Sequence, residues 1–313
     1  MIISLMNPTS AIDGAVRLTH LGVLRAQGPE ALKFLHGQLT NDMLGLAPTH
    51  ARLAGFCSAK GRLQASFTVW TGAADEVLMA CSASLLPATL KRLSMFVLRS
   101  RCKLGDASAE WPLYGVVGAA AARLAADADA WTRLDRDGGS FIVLPDAAGL
   151  RRGLWAGGPA PSLPPFDLDA WRWLEVQSGL PTIQAETVDR FVPQMLNYEL
   201  VGGVDFQKGC YPGQEIVARS QYRGTIKRRM FRFDVDAPAA PGDEVFHSAD
   251  AGQPAGMVVN AAPRPGTSTT SVLAEVKLAA MDNGSLHLGS VDGPRLRGEA
   301  LPYAVPLEPA AAG

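Results

Sequence analysis

The chain has 313 residues, 47% of them apolar and 19% charged, with a formal net charge of −1. That length suits two domains, or one elaborate one, with a substantial buried core. The near-zero net charge excludes a whole-molecule field for nucleic acid or membrane and leaves only local patches, so neither direct nucleic-acid contact nor membrane contact is expected.

The opening "MIISLMNPTSAIDGAVR" has no basic n-region and only a short apolar run, unlike a signal peptide. It carries no arginine before Arg17, unlike a mitochondrial transit peptide, and no later apolar run nears the ~20 residues of a spanning helix. A cytoplasmic protein is predicted. "LGVLRAQG" reads as a strand, after which Gly28-Pro29-Glu30 opens a helix with an apolar stripe of Leu32, Leu35 and Leu39. "ARLAGFCSAKGRLQASFTVWT" predicts two strands around a Lys60-Gly61 turn, and "EVLMACS" a third. "LLPATLKRLSMFVLRS" predicts a helix with Leu86, Leu90, Leu93 and Val97 on one face, closed by the strand "CKLG". This succession predicts a split-βαβ layer of helices on an antiparallel sheet.

A second unit repeats the texture: strand "LYGVVG", helix "AAAARLAADA", strands "FIVLPD" and "GLWAG", then the linker "GGPAPSLPPF". "DLDAWRWLEVQSG" is a helix capped by Asp167 or Asp169 and ended by Gly179-Leu180-Pro181. From about Thr225, short apolar runs such as "MFRFDV", "EVFH", "GMVVN", "SVLAEVKL" and "SLHLGS" alternate with turn residues. That pattern predicts a small β-barrel or sandwich.

The cysteines are Cys57, Cys81, Cys102 and Cys210, without CxxC pairs or a nearby histidine cluster. No intrinsic metal site and no disulfide framework is expected. Cys81 and Cys102 lie in apolar strands; Cys57 precedes the Lys60-Gly61-Arg62 turn and could face a cleft. Cys210 stands apart in "VDFQKGCYPGQEIVARSQYRG". Pro212-Gly213 fits the centre of a type II turn, and "QEIVARS" can continue as helix or strand. If it is a helix, its N-terminus and Lys208 both favour a thiolate, and Gly209 admits close backbone approach. The plainer alternative is a small buried hydrophobe. Between Glu215 and Asp234 the chain has six basic residues (Arg219, Arg223, Lys227, Arg228, Arg229 and Arg232) and no acid. They make either a solvated face or an anion site.

"FVPQMLNYELVGGVDFQKGCYPGQEIVARSQYRGTIKRRMF" resembles the signature of the YgfZ family, folate-binding proteins implicated in iron–sulfur cluster maintenance and tRNA modification. "FLHGQLTNDM" resembles that family's N-terminal motif and "CSAKGRLQASF" its lysine-glycine-arginine turn. The match runs from about Leu21 to "LPYAVPL". The family shares its fold with the T protein of the glycine cleavage system, a tetrahydrofolate-dependent aminomethyltransferase. The resemblance implies an α+β fold of intertwined subdomains around a central folate cavity, followed by a C-terminal β-barrel. Residues 1–224 would form the folate-binding region, as subdomains of about 1–108 and 109–224, and residues 225–313 the barrel.

Two departures from T protein stand out. Its essential aspartate position, counted from Gly61, holds Gln64 or Ala65, and its pterin-binding glutamate position holds Gln177. An amide offers one acceptor where a carboxylate offers two. Aminomethyl- or methyl-transfer and demethylation are thus the weaker implication, and an accessory protein for iron–sulfur enzymes the stronger. Cys210 is then the working residue, as a transient iron or cluster ligand or as a thiol that exchanges or accepts a one-carbon unit. Tetrahydrofolate or a derivative is the implied cofactor, and cluster clients or assembly proteins the implied partners. Lys208, Gly209, Tyr211, Gly213, Gln214, Glu215 and Arg219 belong to the motif as candidate cofactor-binding residues. Gln194 and Asn197, just before it, are candidate cavity-lining residues on the same ground. Lys60 and Arg62 either hold folate's glutamate tail or form an exposed hairpin tip. Glu215 could simply pair with Arg219 one helical turn on.

Overall fold

The computed structural model describes residues 12–306. The leader and transit-peptide reading rests largely on residues 1–11, outside that range. A first short strand, β1 (Gly14–Arg17), joins a sheet built later in the chain. Strands β2 (Leu21–Gln27), β3 (Ala51–Cys57), β4 (Leu63–Thr71), β5 (Glu76–Ser82) and β6 (Lys103–Asp106) form one antiparallel sheet in the order β3-β4-β5-β2-β6. Helices α1 (Ala31–His36) and α2 (Leu86–Ser94) belong to this unit. Both are shorter than their apolar stripes predict. Leu39 leaves the helix to bridge Phe56 on β3. Val97 falls beyond the end of α2, and Pro29 lies before the N-cap, Glu30.

The second sheet, ordered β1-β7-β10-β9-β8, adds β7 (Leu113–Val117), β8 (Arg133–Arg136), β9 (Gly139–Ala147) and β10 (Leu150–Ala156), with α3 (Gly118–Ala125) packed against it. Next comes α4 (Leu168–Gln177). Asp167 caps it by accepting the Asp169 N–H at 3.0 Å, and Gly179 ends it at φ 68°. Then α5 (Gln214–Tyr222) leads into the last sheet.

That sheet has six antiparallel strands: β11 (Arg228–Val235), β12 (Glu244–His247), β13 (Gly256–Pro263), β14 (Thr270–Lys277), β15 (Leu286–Leu288) and β16 (Arg297–Glu299). It curls as a half-barrel ordered β15-β12-β13-β14-β11-β16. Among the described residues β15 and β16 remain its two edges, so the expected barrel or sandwich is present as a half-barrel. The reason lies in its short terminal strands, three residues each, of which β16 is wholly exposed.

Helix α4 lies where the sheets meet. Trp171, Trp173, Leu174 and Val176 bury into a core shared with Trp70 on β4, Ile142 on β9 and Leu273 on β14. Polar ties fix it and the segment after it to the last sheet: from the helix, Trp173 Nε1 donates to Ser271 Oγ at 3.2 Å and Gln177 Oε1 accepts from Arg232 at 2.6 Å, and beyond its end Asn260 pairs with the Thr182 backbone at 2.8 and 2.9 Å. A fully buried Trp contributes on the order of 2–3 kcal/mol by area, so the helix is anchored before any site is built on it.

Candidate functional site

The segment before Cys210 is stitched to the N-terminal sheet. Thr40 Oγ1 donates to Gly203 O at 2.6 Å and accepts from Gly55 N at 2.7 Å. Asn41 Nδ2 donates to both Leu53 O and Gly202 O at 2.7 Å. The residues of "GQLTND" are thus a clamp between β3 and the loop that follows Tyr198. Beyond the clamp, Lys208 is buried. Its ammonium donates to the carbonyls of His36 and Leu39 at the end of α1 and lies 4.9 Å from the Tyr211 ring centroid. A cation there completes the unpaired carbonyls of a helix C-terminus. Burial pushes the Lys208 ammonium down to about 8, against the pull of Asp42, Asp205 and Cys210. Its hydrogen bonds hold the loop rather than the thiol.

Tyr211-Pro212-Gly213-Gln214 forms the expected turn, closed by Gln214 N–H to Tyr211 O at 3.2 Å. Gly213 takes φ 78°, ψ 3°, the third position of a type II turn, and is also the N-cap of α5. A Cβ on Gly213 would meet Ser58 O at 2.3 Å and the Gly61 nitrogen at 2.6 Å. The bend is therefore docked directly onto the β3–β4 hairpin turn. Cys210 leaves this braced backbone exposed, whereas Cys57 and Cys81 are buried and Cys102 half-buried. Burial pushes the Cys57 and Cys81 thiols up to about 12, with Asp189 and Asp106 adding to it. Cys57 is thus core, not cleft.

A separate cavity of about 80 Å³ lies between β4, β10, α4 and Tyr198. Arg152 on β10 is 2% exposed at its wall. Its guanidinium sits 5.5 Å from the Trp171 ring, and its one side-chain hydrogen bond among the described residues is Nε to Pro145 O at 2.9 Å. Burial lowers it to about 10, with Glu175 and Asp146 opposing. Glu175 accepts from Trp171 Nε1 at 2.8 Å and faces His20 Nε2 at 3.0 and 3.2 Å. Burial acts to raise its carboxyl, yet His20, Trp171 and Arg152 together hold it below the ordinary value. The cavity is smaller than the ~300–1,000 Å³ of a ligand pocket. It adjoins a groove of about 350 Å³, with Leu21, Glu175, Leu180 and Thr182 in the shared wall.

The predicted site residues scatter around these two centres. Gln177 does not face the cavity; its Oε1 accepts from Arg232 at 2.6 Å, toward the last sheet. Gln194 is buried and donates to Val217 O at 2.9 Å, and Asn197 donates to Met230 O at 2.7 Å. Lys60 is exposed at the hairpin tip, and Arg62 binds the Arg190 carbonyl. Glu215 and Arg219 pair at 3.0 Å on an exposed face. Gln64 and Ala65 also miss the cavity, which takes Ser66, Phe67 and Thr68 from β4. Most of the basic run is paired: Arg228 with Glu275, Arg229 with Glu199 and Arg232 with Glu299, besides Arg219.

Sequence reasoning misses Arg152, Glu175, Trp171 and His20. Alternation along β10 carries the signal for Arg152, which shares its face with the buried Leu154 and Ala156. Helical spacing carries it for Glu175, four residues after Trp171 and on its face. Gln177 is two residues further round and points away.

This fold is that of T protein. The solved aminomethyltransferase T of the glycine cleavage system from Bartonella henselae overlays 94% of this chain and 88% of its own, with a TM-score of 0.72 at 14% identity. In sequence, "tRNA-modifying protein YgfZ" of Edwardsiella ictaluri is 32% identical over 237 residues, covering 66% of this chain and 67% of its own. The protein of the same name from Vibrio vulnificus is 30% identical over 236 residues, covering 72% and 71%. No family model matches. The chain belongs to the YgfZ family.

Proposed function

We propose that the chain is a folate-binding accessory protein that supports assembly or repair of iron–sulfur clusters in client enzymes, tRNA-modifying enzymes among them, with Cys210 as its working thiol. The carrying observation is the contrast among the cysteines: one exposed sulfur on a braced bend, against two that are buried. Thiolate is the usual protein ligand of iron and its clusters. No three metal-ligating side chains cluster among the described residues, so Cys210 would offer one bond and the client the rest. Two α+β subdomains of split-βαβ type, about 1–108 and 109–224, would enclose the folate cavity, with the β-rich part from 225 on. The setting is the cytoplasm.

Reduced folate fits the chemistry of the cavity wall. Glu175 presents a carboxylate acceptor to a pterin's N–H edge, and Arg152 keeps two terminal nitrogens free of hydrogen bonds among the described residues. The ring would need the cavity and the adjoining groove joined at Glu175. When bound, folate would supply or accept a one-carbon unit.

In a deletion strain, Cys210→Ala is expected to leave activity of cluster-dependent tRNA-modifying enzymes unrestored, while the purified variant keeps folate affinity by calorimetry. Full rescue would remove the sulfur from the mechanism. A wild-type folate Kd weaker than about 1 mM would remove the ligand.

A further inference from the structure

The basic run leaves a remainder. Once Arg219, Arg228, Arg229 and Arg232 are paired, Lys227 has no acidic partner within salt-bridge distance among the described residues, and neither has Lys277 on the facing strand. Leu278 N–H donates to Lys227 O at 2.8 Å, so the two lysines rise from joined strand ends. Both line a cleft of about 560 Å³ between the end of α5 and the last sheet, well within the size of small-molecule sites.

The inner wall of this cleft is built, not merely open. Glu199 is 5% exposed in its side chain. Its Oε1 takes Arg229 Nη1 at 2.5 Å, but its Oε2 is buried without a hydrogen-bond partner among the described residues. Tyr222, 67% exposed and propped edge-on against Phe206 at 5.8 Å between ring centroids, stands on one side of the cleft, with Leu200 and Leu278 among its apolar lining. An aromatic plane and two unpaired cations along one cleft select a planar ring joined to an anion.

We infer that this cleft binds a nucleoside monophosphate unit: phosphate on Lys227 and Lys277, and base beside Tyr222. The unit can be a free nucleotide or one residue of an RNA strand. The cleft shares no lining residue with the cavity at Glu175, so the inference stands apart from the folate reading.

The test is calorimetric titration of the full chain with GMP, guanosine, inorganic phosphate and a short single-stranded RNA. GMP should bind saturably, and guanosine and phosphate each about tenfold or more weakly. The double variant Lys227→Ala/Lys277→Ala, whose changes lie at the cleft's accessible edge, should lose about tenfold for GMP while keeping its circular dichroism. Tyr222→Ala should lose less. RNA binding tighter than GMP, with the same dependence on the lysines, assigns the site to a strand; the reverse order assigns it to the free nucleotide. No saturable GMP binding at millimolar concentration overturns the inference. So does GMP binding unchanged in the double variant, or phosphate binding as tightly as GMP.

Discussion

At the cavity wall, Arg152 is a charge held out of water and Glu175 a half-buried one, each turned inward by the periodicity of its own element and steadied by Trp171. At the Cys210 loop the reactive atom is outside, and what is buried is the support: Lys208 under the loop, Gly213 against the hairpin turn, Tyr211 beneath. The first region orders side chains by desolvation, the second orders backbone by close contact. Substitutions should therefore act through different physics in the two places.

The largest effect is expected at Gly213. An alanine there must hold φ 78° and place a methyl 2.3 Å from Ser58 O, so the bend must shift. A loss of about 2–4 kcal/mol is expected from strain and clash together, measured by urea unfolding. Gly149 separates the two contributions: it has φ 75° and open space within 4 Å of where a methyl would stand, so Gly149→Ala should cost only about 1 kcal/mol. Equal losses at the two positions would show that the Gly213 contact with the hairpin adds nothing.

Lys208 gives the second test, by pH. Its folded ammonium titrates at about 8, below the ordinary 10.5. Between those values the unfolded chain binds more protons than the folded one, so stability rises with pH, by at most about 1.4 kcal/mol per unit. Below the window the buried charge is a standing cost, and above it the cost is gone. Lys208→Met should abolish that rise. A slope unchanged in the variant would place the titration elsewhere.

At the cavity, Glu175→Gln should cost about 1–2 kcal/mol at neutral pH through the charged hydrogen bonds to His20 and Trp171. The carboxyl is depressed in the folded state, so its contribution is present above the unfolded carboxylate pKa and fades as pH falls through the folded one. The variant's acid limb should be flatter than the wild type's. An identical limb would mean that the carboxylate gains nothing from its partners.

Much of this contrast is legible in the sequence, unevenly. The bend is readable because Pro-Gly has few backbone options, and the caps of α4 because Asp167 and Gly179 flank one amphipathic run. Strands β8 and β16 are not: "RLDR" and "RGE" are polar edge segments without alternation. Helix α1 is overextended in the sequence because Leu39 fits a helical stripe equally well, while its actual partner, Phe56, is set by tertiary contact. The cavity wall escapes for a different reason. Counting toward Gly179 leads to Gln177, whereas the face of α4 is decided by Trp171 and hence Glu175. Lys208 reads in sequence as tuning the thiol; only the fold brings the end of α1 within its reach.

The smallest stability effect, and the sharpest chemical one, belongs to Cys210. Its side chain is exposed, so Cys210→Ser should stay within about 0.5 kcal/mol of wild type. Alkylation of the native chain should nevertheless fall steeply in that variant, leaving only the slow reaction of the half-buried Cys102, whose thiol burial also raises. Thiolate is the reacting form, and the Cys57 and Cys81 thiols, pushed up to about 12, offer hardly any near neutral pH. Mass spectrometry after brief iodoacetamide treatment would read this directly, with the dominant adduct of the wild type at Cys210 and labelling of Cys57 and Cys81 only after denaturation. Rapid native labelling at Cys57 would mean that the hairpin opens beneath the bend. The division between a wall that turns its charges inward and a loop that shows its sulfur would then fail at the contact where Gly213 meets Ser58 and Gly61.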